Sequence, residues 1–307
     1  MGTIGYSGSL VFYNSYLPQI ATEDQYDRVS AKGYAYGYFG SVILLLLILV
    51  MVLKPELFGF TDDSFGSRLG FLLVGIWWFG FAQITFNRMP KDSTGPRQSG
   101  MIKKGFIELK ETFDKVKTNK DVKRYLLSFL FFSAGVNTII YVASIFASEE
   151  IGFGQAELIA LILILQLVAI FGAYLFAYVS KIKGNKFSLA LQIMIWLLLC
   201  VAAYYTNTKT TFYVLVAFVG MVLGGVQSLA RSSYTKLLED DVDDLTSYFS
   251  FYDVLYKISI VGGTFLYGMV FHLTQDLRYS VLALAGLFLI GFVILLGVNF
   301  GTDRKTA

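Results

Sequence analysis

Long apolar runs separated by short polar stretches recur along nearly the whole chain. A helix must supply about 20 apolar residues, at a rise of about 1.5 Å each, to cross a hydrocarbon core of about 30 Å. Runs of that kind fall at Ala31 to Leu53, Leu69 to Phe86, Tyr125 to Ala147, Leu158 to Val179, Phe187 to Tyr205, Thr211 to Leu229, Tyr248 to Leu273 and Tyr279 to Phe300. A shorter ninth piece, Ile4 to Ile20, has no basic stretch before it and carries Tyr13, Asn14 and Pro18. Those features exclude a signal peptide and read as the end of a helix that begins upstream. The pattern predicts an all-α integral membrane protein with nine transmembrane segments.

One long polar stretch, 87–124, interrupts the pattern. Pro90, Gly95, Pro96 and Gly100 make its first part irregular. In its second part Ile102, Phe106, Leu109, Phe113 and Val116 follow at spacings of four, three, four and three. This is a narrow apolar stripe on a helix, and a helix lying on the membrane surface is favoured over one that binds a partner. The stretch divides the chain into a partial N-terminal bundle (1–86), a connector with an amphipathic helix (87–124) and a six-helix C-terminal bundle (125–307).

Composition agrees with a lipid environment. Of 307 residues, 55% are hydrophobic and 15% charged, against about 25% charged in soluble domains; mean hydropathy is +0.61. A net charge of +3 is too small to suggest nucleic acid as a partner. The single cysteine, Cys200, excludes a disulfide framework, and the single histidine, His272, argues against a multi-histidine metal centre. No ATP-binding P-loop, H-E-x-x-H or G-x-S-x-G pattern is present. No catalytic residue, metal ligand or cofactor is predicted, and enzyme is the weaker class.

Basic residues set the sides. The connector holds eleven Lys and Arg, the 180–186 loop adds Lys181, Lys183 and Lys186, and the tail adds Arg304 and Lys305. Loops of the opposite parity hold none to two: 148–157 has none, 206–210 has Lys209, 274–278 has Arg278, and 54–68 has Lys54 and Arg68. The connector and the C-terminus are therefore expected in the cytoplasm of a multi-pass protein of the cell (plasma or inner) membrane. The acids at 239–244 weigh little in this rule and read as a solvated loop.

Polar groups within the spans are costly unless partnered or facing water. Asn137 and Tyr141 share a helix face, as do Gln227 and Arg231, and Gln166 lies mid-span. Asp253 and Lys257 are four apart, with Lys257 about 14 Å into its span. Each charge at such a depth costs about 2.5–3.5 kcal/mol, which fits either an internal ion pair or a group lining a pathway. Glycines at 33, 37 and 40, 70, 75 and 80, 220, 224 and 225, and 262, 263 and 268 read as close-packing seams.

Several stretches resemble a known family. They are Val11-Phe12-Tyr13-Asn14-Ser15-Tyr16-Leu17-Pro18, Arg28-Val29-Ser30 through Gly33-Tyr34-Ala35-Tyr36-Gly37-Tyr38, and Ala134-Gly135-Val136-Asn137-Thr138-Ile139. Gly225-Val226-Gln227-Ser228-Leu229-Ala230-Arg231-Ser232 and Ser247-Tyr248-Phe249-Ser250-Phe251-Tyr252-Asp253-Val254 with Lys257 complete the set. In order and spacing the chain resembles the vacuolar, autophagy-related amino-acid effluxer-like branch of the major facilitator superfamily. The resemblance implies twelve helices, of which these nine are the fourth to the twelfth, so that three precede them. It makes Asn14, Asn137, Tyr141, Gln166, Gln227, Tyr252, Asp253 and Lys257 candidates for a substrate pathway. Arg231, Lys181 and Gly184 are the gating candidates. In Ser180-Lys181-Ile182-Lys183-Gly184-Asn185-Lys186, which is similar to the superfamily's gating loop, the usual acid is absent and Lys181 stands near its place. After Lys236-Leu237-Leu238 the family often has proline, where this chain has Glu239 and Asp240.

The resemblance implies secondary active transport by alternating access, of amino acids or another small solute and in the direction of efflux, with a proton or sodium as coupling ion. The alternative is a membrane scaffold or lipid-modifying enzyme that moves nothing. The topology is testable directly: a cysteine at Asn119 should resist an impermeant thiol reagent added outside intact cells, and one at Gly152 should react. The reverse pattern would overturn the assignment.

Overall fold

The structure, a computed structural model, describes residues 2–59, 63–89, 101–238 and 245–300. Helices account for nearly all of them, with no strand among the described residues: α1 (Gly2–Ser15), α2 (Leu17–Ile20), α3 (Tyr26–Leu53), α4 (Asp63–Phe86), α5 (Met101–Thr118), α6 (Lys120–Ile151), α7 (Gln155–Tyr205), α8 (Lys209–Leu237), α9 (Leu245–Thr274) and α10 (Leu277–Leu296). Among the described residues seven helices are long and apolar enough to cross a membrane. The expectations for Pro90, Gly95, Pro96 and Gly100, for the acids at 239–244 and for the tail with Arg304 and Lys305 fall outside the described residues.

Two of the expected spans are the arms of one element. At 51 residues α7 would be about 76 Å long, more than twice the hydrocarbon thickness. It is broken at Gly184, whose φ of 83° and ψ of 160° lie in a region open essentially to glycine alone. The piece expected at Ile4 to Ile20 is α1 followed by the short α2, which Pro18 opens.

Local chemistry ends most helices sharply. The Asn119 side chain accepts from the backbone N–H groups of Asp121 and Val122 and so starts α6. Gly152, at φ 77°, closes that helix with its N–H on the Ala147 carbonyl. Thr208 and Asp276 cap α8 and α10 in the manner of Asn119. Both labelling positions chosen on sequence are thus helix caps. Cysteines at the exposed Lys120, beside Asn119, and at the exposed Asn207, in the 206–210 loop of the same expected side as Gly152, test the same topology without that cost.

One continuous core joins α5 to α10. Its centre is a stack of aromatic rings: Phe129 on Tyr252 at 4.1 Å, Tyr252 on Tyr234 at 5.0 Å, and Trp196 on Phe288 at 5.6 Å. The expected stripe of α5 is used by its second half. Val116 is buried there, and Phe113 lies 5.8 Å from Phe251 of α9, while Phe106 is 71% exposed. At the end remote from the connector, Arg278 binds Glu150 at 3.0 Å and the carbonyls of Tyr204 and Thr206 at 2.8 Å each. That one guanidinium ties the start of α10 to the ends of α6 and α7.

Glycines bring α7 and α8 into backbone contact at three levels. Gly172 lies on the Met221 carbonyl, Gly220 on that of Leu165 and Gly224 on that of Ala169. Gly263 does the same against Ala134 of α6. Not every glycine expected in a seam is in one, since Gly37, Gly75, Gly80, Gly262 and Gly268 face open space. A Cβ at Gly172 would have to displace backbone, so Gly172→Ala should cost about 1–3 kcal/mol. In detergent its melting temperature should fall by several degrees, and Gly268→Ala should melt like the wild type. Equal melting of the two variants would contradict the seam.

Candidate functional site

The helices α1, α3 and α4 stand against the α6–α10 bundle chiefly through α3, which packs on α7 and α8. The pairing of Asp27 with Lys236, Ser30 with Arg231 and Tyr38 with Gln227 shows that α3 and α8 run antiparallel. Beside apolar residues buried along α3, among them Ala31 against Ala173 and Ala177, this junction carries polar contacts. They form three tiers, starting from the connector end.

The first tier is built on Asp27, in the first turn of α3. Its carboxylate takes a 2.7 Å ion pair from Lys236 on α8 and hydrogen bonds from Ser180 (2.8 Å) and Asn185 (2.9 Å) on α7. Lys236 also donates to Asn185 Oδ1 at 2.8 Å, and Asn185 to Ser233 Oγ at 2.9 Å. The break in α7 makes this possible. Residues five apart on a continuous helix point about 140° away from each other, whereas the turn at Gly184 brings Ser180 and Asn185 onto the same carboxylate. The 180–186 loop has no acid of its own and receives one from across the junction. Lys181 is exposed and takes no part.

The second tier is Arg231, 3% exposed on α8. It donates to Ser30 Oγ through Nε (3.1 Å) and Nη2 (2.9 Å) and reaches Asn14 Oδ1 at 3.5 Å. The rings of Tyr13 and Tyr34 cover it at 4.6 and 5.3 Å. Gly33 leaves room for the Tyr13 hydroxyl, which a Cβ there would strike. Ser30 in turn donates to the Ser228 carbonyl at 2.7 Å.

The third tier lies toward the middle of the helices. Tyr38 donates to Gln227 Oε1 at 2.5 Å, and Tyr256 of α9 donates to Asn137 Oδ1 of α6 at 2.7 Å. Asp253 and Lys257 face each other on α9 at 3.8 Å, the lysine 38% exposed and the aspartate 15%. Tyr6 of α1 lies within electrostatic reach of Tyr141 and Asp253, and Tyr256 within reach of Tyr34, Tyr141 and Asp253. A run of tyrosines therefore links the second tier to the ion pair.

Of the residues expected here, Asn14, Asn137, Gln227, Arg231, Asp253 and Lys257 enter this arrangement directly. Tyr141 is exposed beside it. Tyr252 is a core residue, its ring stacked between Phe129 and Tyr234. Gln166 is half-buried on α7 with no side-chain hydrogen bond among the described residues. Gly184 acts as the hinge of the first tier. Sequence reasoning missed Asp27, Ser30, Tyr38, Ser180, Asn185, Lys236 and Tyr256. The polar or charged members of the first tier sit at helix ends, where such residues are ordinary.

The arrangement of helices is the fold seen in membrane transporters of the major facilitator superfamily. A crystal structure of such a transporter, FucP in the outward conformation, superposes with a TM-score of 0.61 at 14% identity, covering 93% of this chain and 71% of that one. The chain belongs to the vacuole effluxer Atg22-like family, whose sequence profile it matches over residues 1–307. An uncharacterized MFS-type transporter of Bacillus subtilis, YxiO, is 27% identical over 296 residues, 96% of this chain and 68% of the relative. Autophagy-related protein 22 of Yarrowia lipolytica is 25% identical over 312 residues, 91% of this chain and 51% of the relative. The chain thus spans from about half to just over two-thirds of the length of these relatives.

The first tier makes a direct prediction. Removing one partner of a buried ion pair costs about 3–5 kcal/mol, less for this largely buried one, and about 1.4 kcal/mol is already a factor of ten in an equilibrium. Asp27→Asn should therefore raise the labelling rate of a cysteine placed at Thr235, 4% exposed beside the tier, by tenfold or more with a permeant maleimide. An unchanged rate would mean that the tier does not hold this end shut.

Proposed function

We propose that the protein is a secondary transporter of the membrane, working by alternating access and exporting amino acids or another small solute. The observation that carries this reading is the polar junction between α1 and α3 on one side and α6 to α9 on the other, closed at one end by the Asp27 tier. Hydrogen bonds and ion pairs can be exchanged for water or solute when two bundles rock apart, which an interlocked apolar seam does not allow. Nine crossings are assigned to α1, α3, α4, α6, the two arms of α7, α8, α9 and α10, as helices four to twelve of a twelve-helix plan. The division at 87–124 then falls between the two bundles, and α5 lies along the membrane surface with Phe106 toward lipid.

The connector end is assigned to the cytoplasm, on its eleven basic residues. The arrangement is then the state closed to the cytoplasm, and the likeness to FucP in the outward conformation supports that assignment. Asp253 and Lys257 are assigned to the pathway, with Asp253 as the group through which a proton or sodium would be coupled. An ion pair of 3.8 Å with a partly exposed lysine is loose enough to open toward a solute.

The gene product reconstituted in liposomes should take up labelled amino acids with saturation, and lipid turnover without flux would favour the enzyme alternative. Asp253→Asn leaves Lys257 unpaired and should lower both protein level and flux. In the double variant with Lys257→Gln the level should return while flux stays lost. Full flux in the double variant would show that the pair only holds helices together.

A further inference from the structure

Arg231 is a buried cation without a carboxylate. Among the described residues it forms no ion pair, and its three hydrogen bonds go to neutral oxygens of Ser30 and Asn14. A guanidinium carries five N–H donors in a planar fork that fits a carboxylate with two parallel bonds. Here one hydroxyl takes two of the donations and the amide takes a long third.

Among the described residues, every side-chain hydrogen bond and ring contact of this guanidinium comes from the opposite helices. Arg231 is on α8, whereas Asn14 and Tyr13 are on α1 and Ser30 and Tyr34 are on α3. The cage is therefore intact only while the junction is closed. If α1 and α3 swing away at the connector end, all three hydrogen bonds and both ring faces leave together. Among the described residues, the carboxylates of this bundle and of α3 do not replace them. Asp27 is carried off on α3, and Asp253 already faces Lys257. Glu150 and Glu157 are engaged by Arg278 and Lys209 at the remote end of the bundle. An uncompensated guanidinium would then line the opening, at the junction between the Asp27 tier and the tyrosine-lined middle.

We propose that Arg231 is the recognition residue for the carboxylate of the transported solute, which takes the place of the Ser30 and Asn14 oxygens when the bundles part at the connector end. The site selects a carboxylate-bearing solute, zwitterionic or anionic, over its amide or amine. It also links recognition to gating, because the α1–α3 cage and the solute compete for one guanidinium. This rests on the transport reading above, and it is separable from it by measuring binding.

The test uses the purified full-length gene product in detergent, with thermal stability read against sodium acetate, glycine, glycinamide, sodium chloride and inorganic phosphate at constant ionic strength. The wild type should show a saturable rise in melting temperature with acetate and glycine, at least tenfold weaker with glycinamide, chloride and phosphate. Arg231→Gln should abolish the rise, and Arg231→Lys should retain a weakened one. Ser30→Ala removes a competitor instead of the receptor, so its half-saturating acetate concentration should fall severalfold. That change of opposite sign keeps the test decisive if Arg231→Gln folds poorly. No saturable rise in the wild type, an equal rise with chloride or phosphate, or weaker acetate binding in Ser30→Ala would each overturn the proposal. Failure of liposome flux with the acetate response intact would count against the transport reading and leave this site standing.

Discussion

A charge held between helices in a low-dielectric layer must be answered by another helix, and in this protein that requirement falls on two residues. Asp27 and Arg231 lie on opposite sides of the α3–α8 junction, and each finds its partners on the other side. Neither can be satisfied within its own group of helices. The desolvation cost of an unpaired ion is larger than most single contacts contribute, so these two residues set the register of α3 on α7 and α8. The rest of the arrangement follows from that register. Tyr38 meets Gln227, Ser30 meets the Ser228 carbonyl, and the break at Gly184 is placed where Ser180 and Asn185 can converge.

Two kinds of helix contact are kept apart in space. Within the α6–α10 bundle the contacts are permanent in character: backbone on backbone at Gly172, Gly220 and Gly224, stacked rings around Tyr252, and the Arg278 clasp. Such packing is bistable at best and does not yield gradually. Across the α3 junction apolar packing of residues such as Ala31 is accompanied by polar groups at three levels, which water or a solute can replace at small net cost. A stiff bundle facing an exchangeable junction suits a protein whose halves move as bodies, which is the behaviour proposed here.

Membership of the Atg22-like family and the superfamily fold agree with what the sequence resembles. The helices were legible because hydrocarbon imposes one demand everywhere: about 20 apolar residues per crossing. That demand placed all eight full spans on helices long enough to cross, the two runs between Leu158 and Tyr205 as arms of one broken helix and the last running four residues past Leu296. Asn137, Gln227, Arg231, Asp253 and Lys257 were legible for the related reason that a polar group inside such a run is costly and stands out. Gln166 stood out equally and has no hydrogen-bonded partner among the described residues. Cost alone does not say where a side chain points.

The sequence by itself therefore determined the class of protein, the apolar spans and the polar residues set into them, because those depend on the composition of each segment. Only the tertiary structure decided which polar groups meet. Asp27, Asn185 and Lys236 sit at helix ends, where water could satisfy each of them alone, so nothing local marks them as partners. They become one tier only because the start of α3, the break of α7 at Gly184 and the end of α8 lie at the same level. Arg231 was visible as a charge, but that its whole cage comes from α1 and α3 is a property of the packing, in which residues some 200 positions apart share one hydrogen bond.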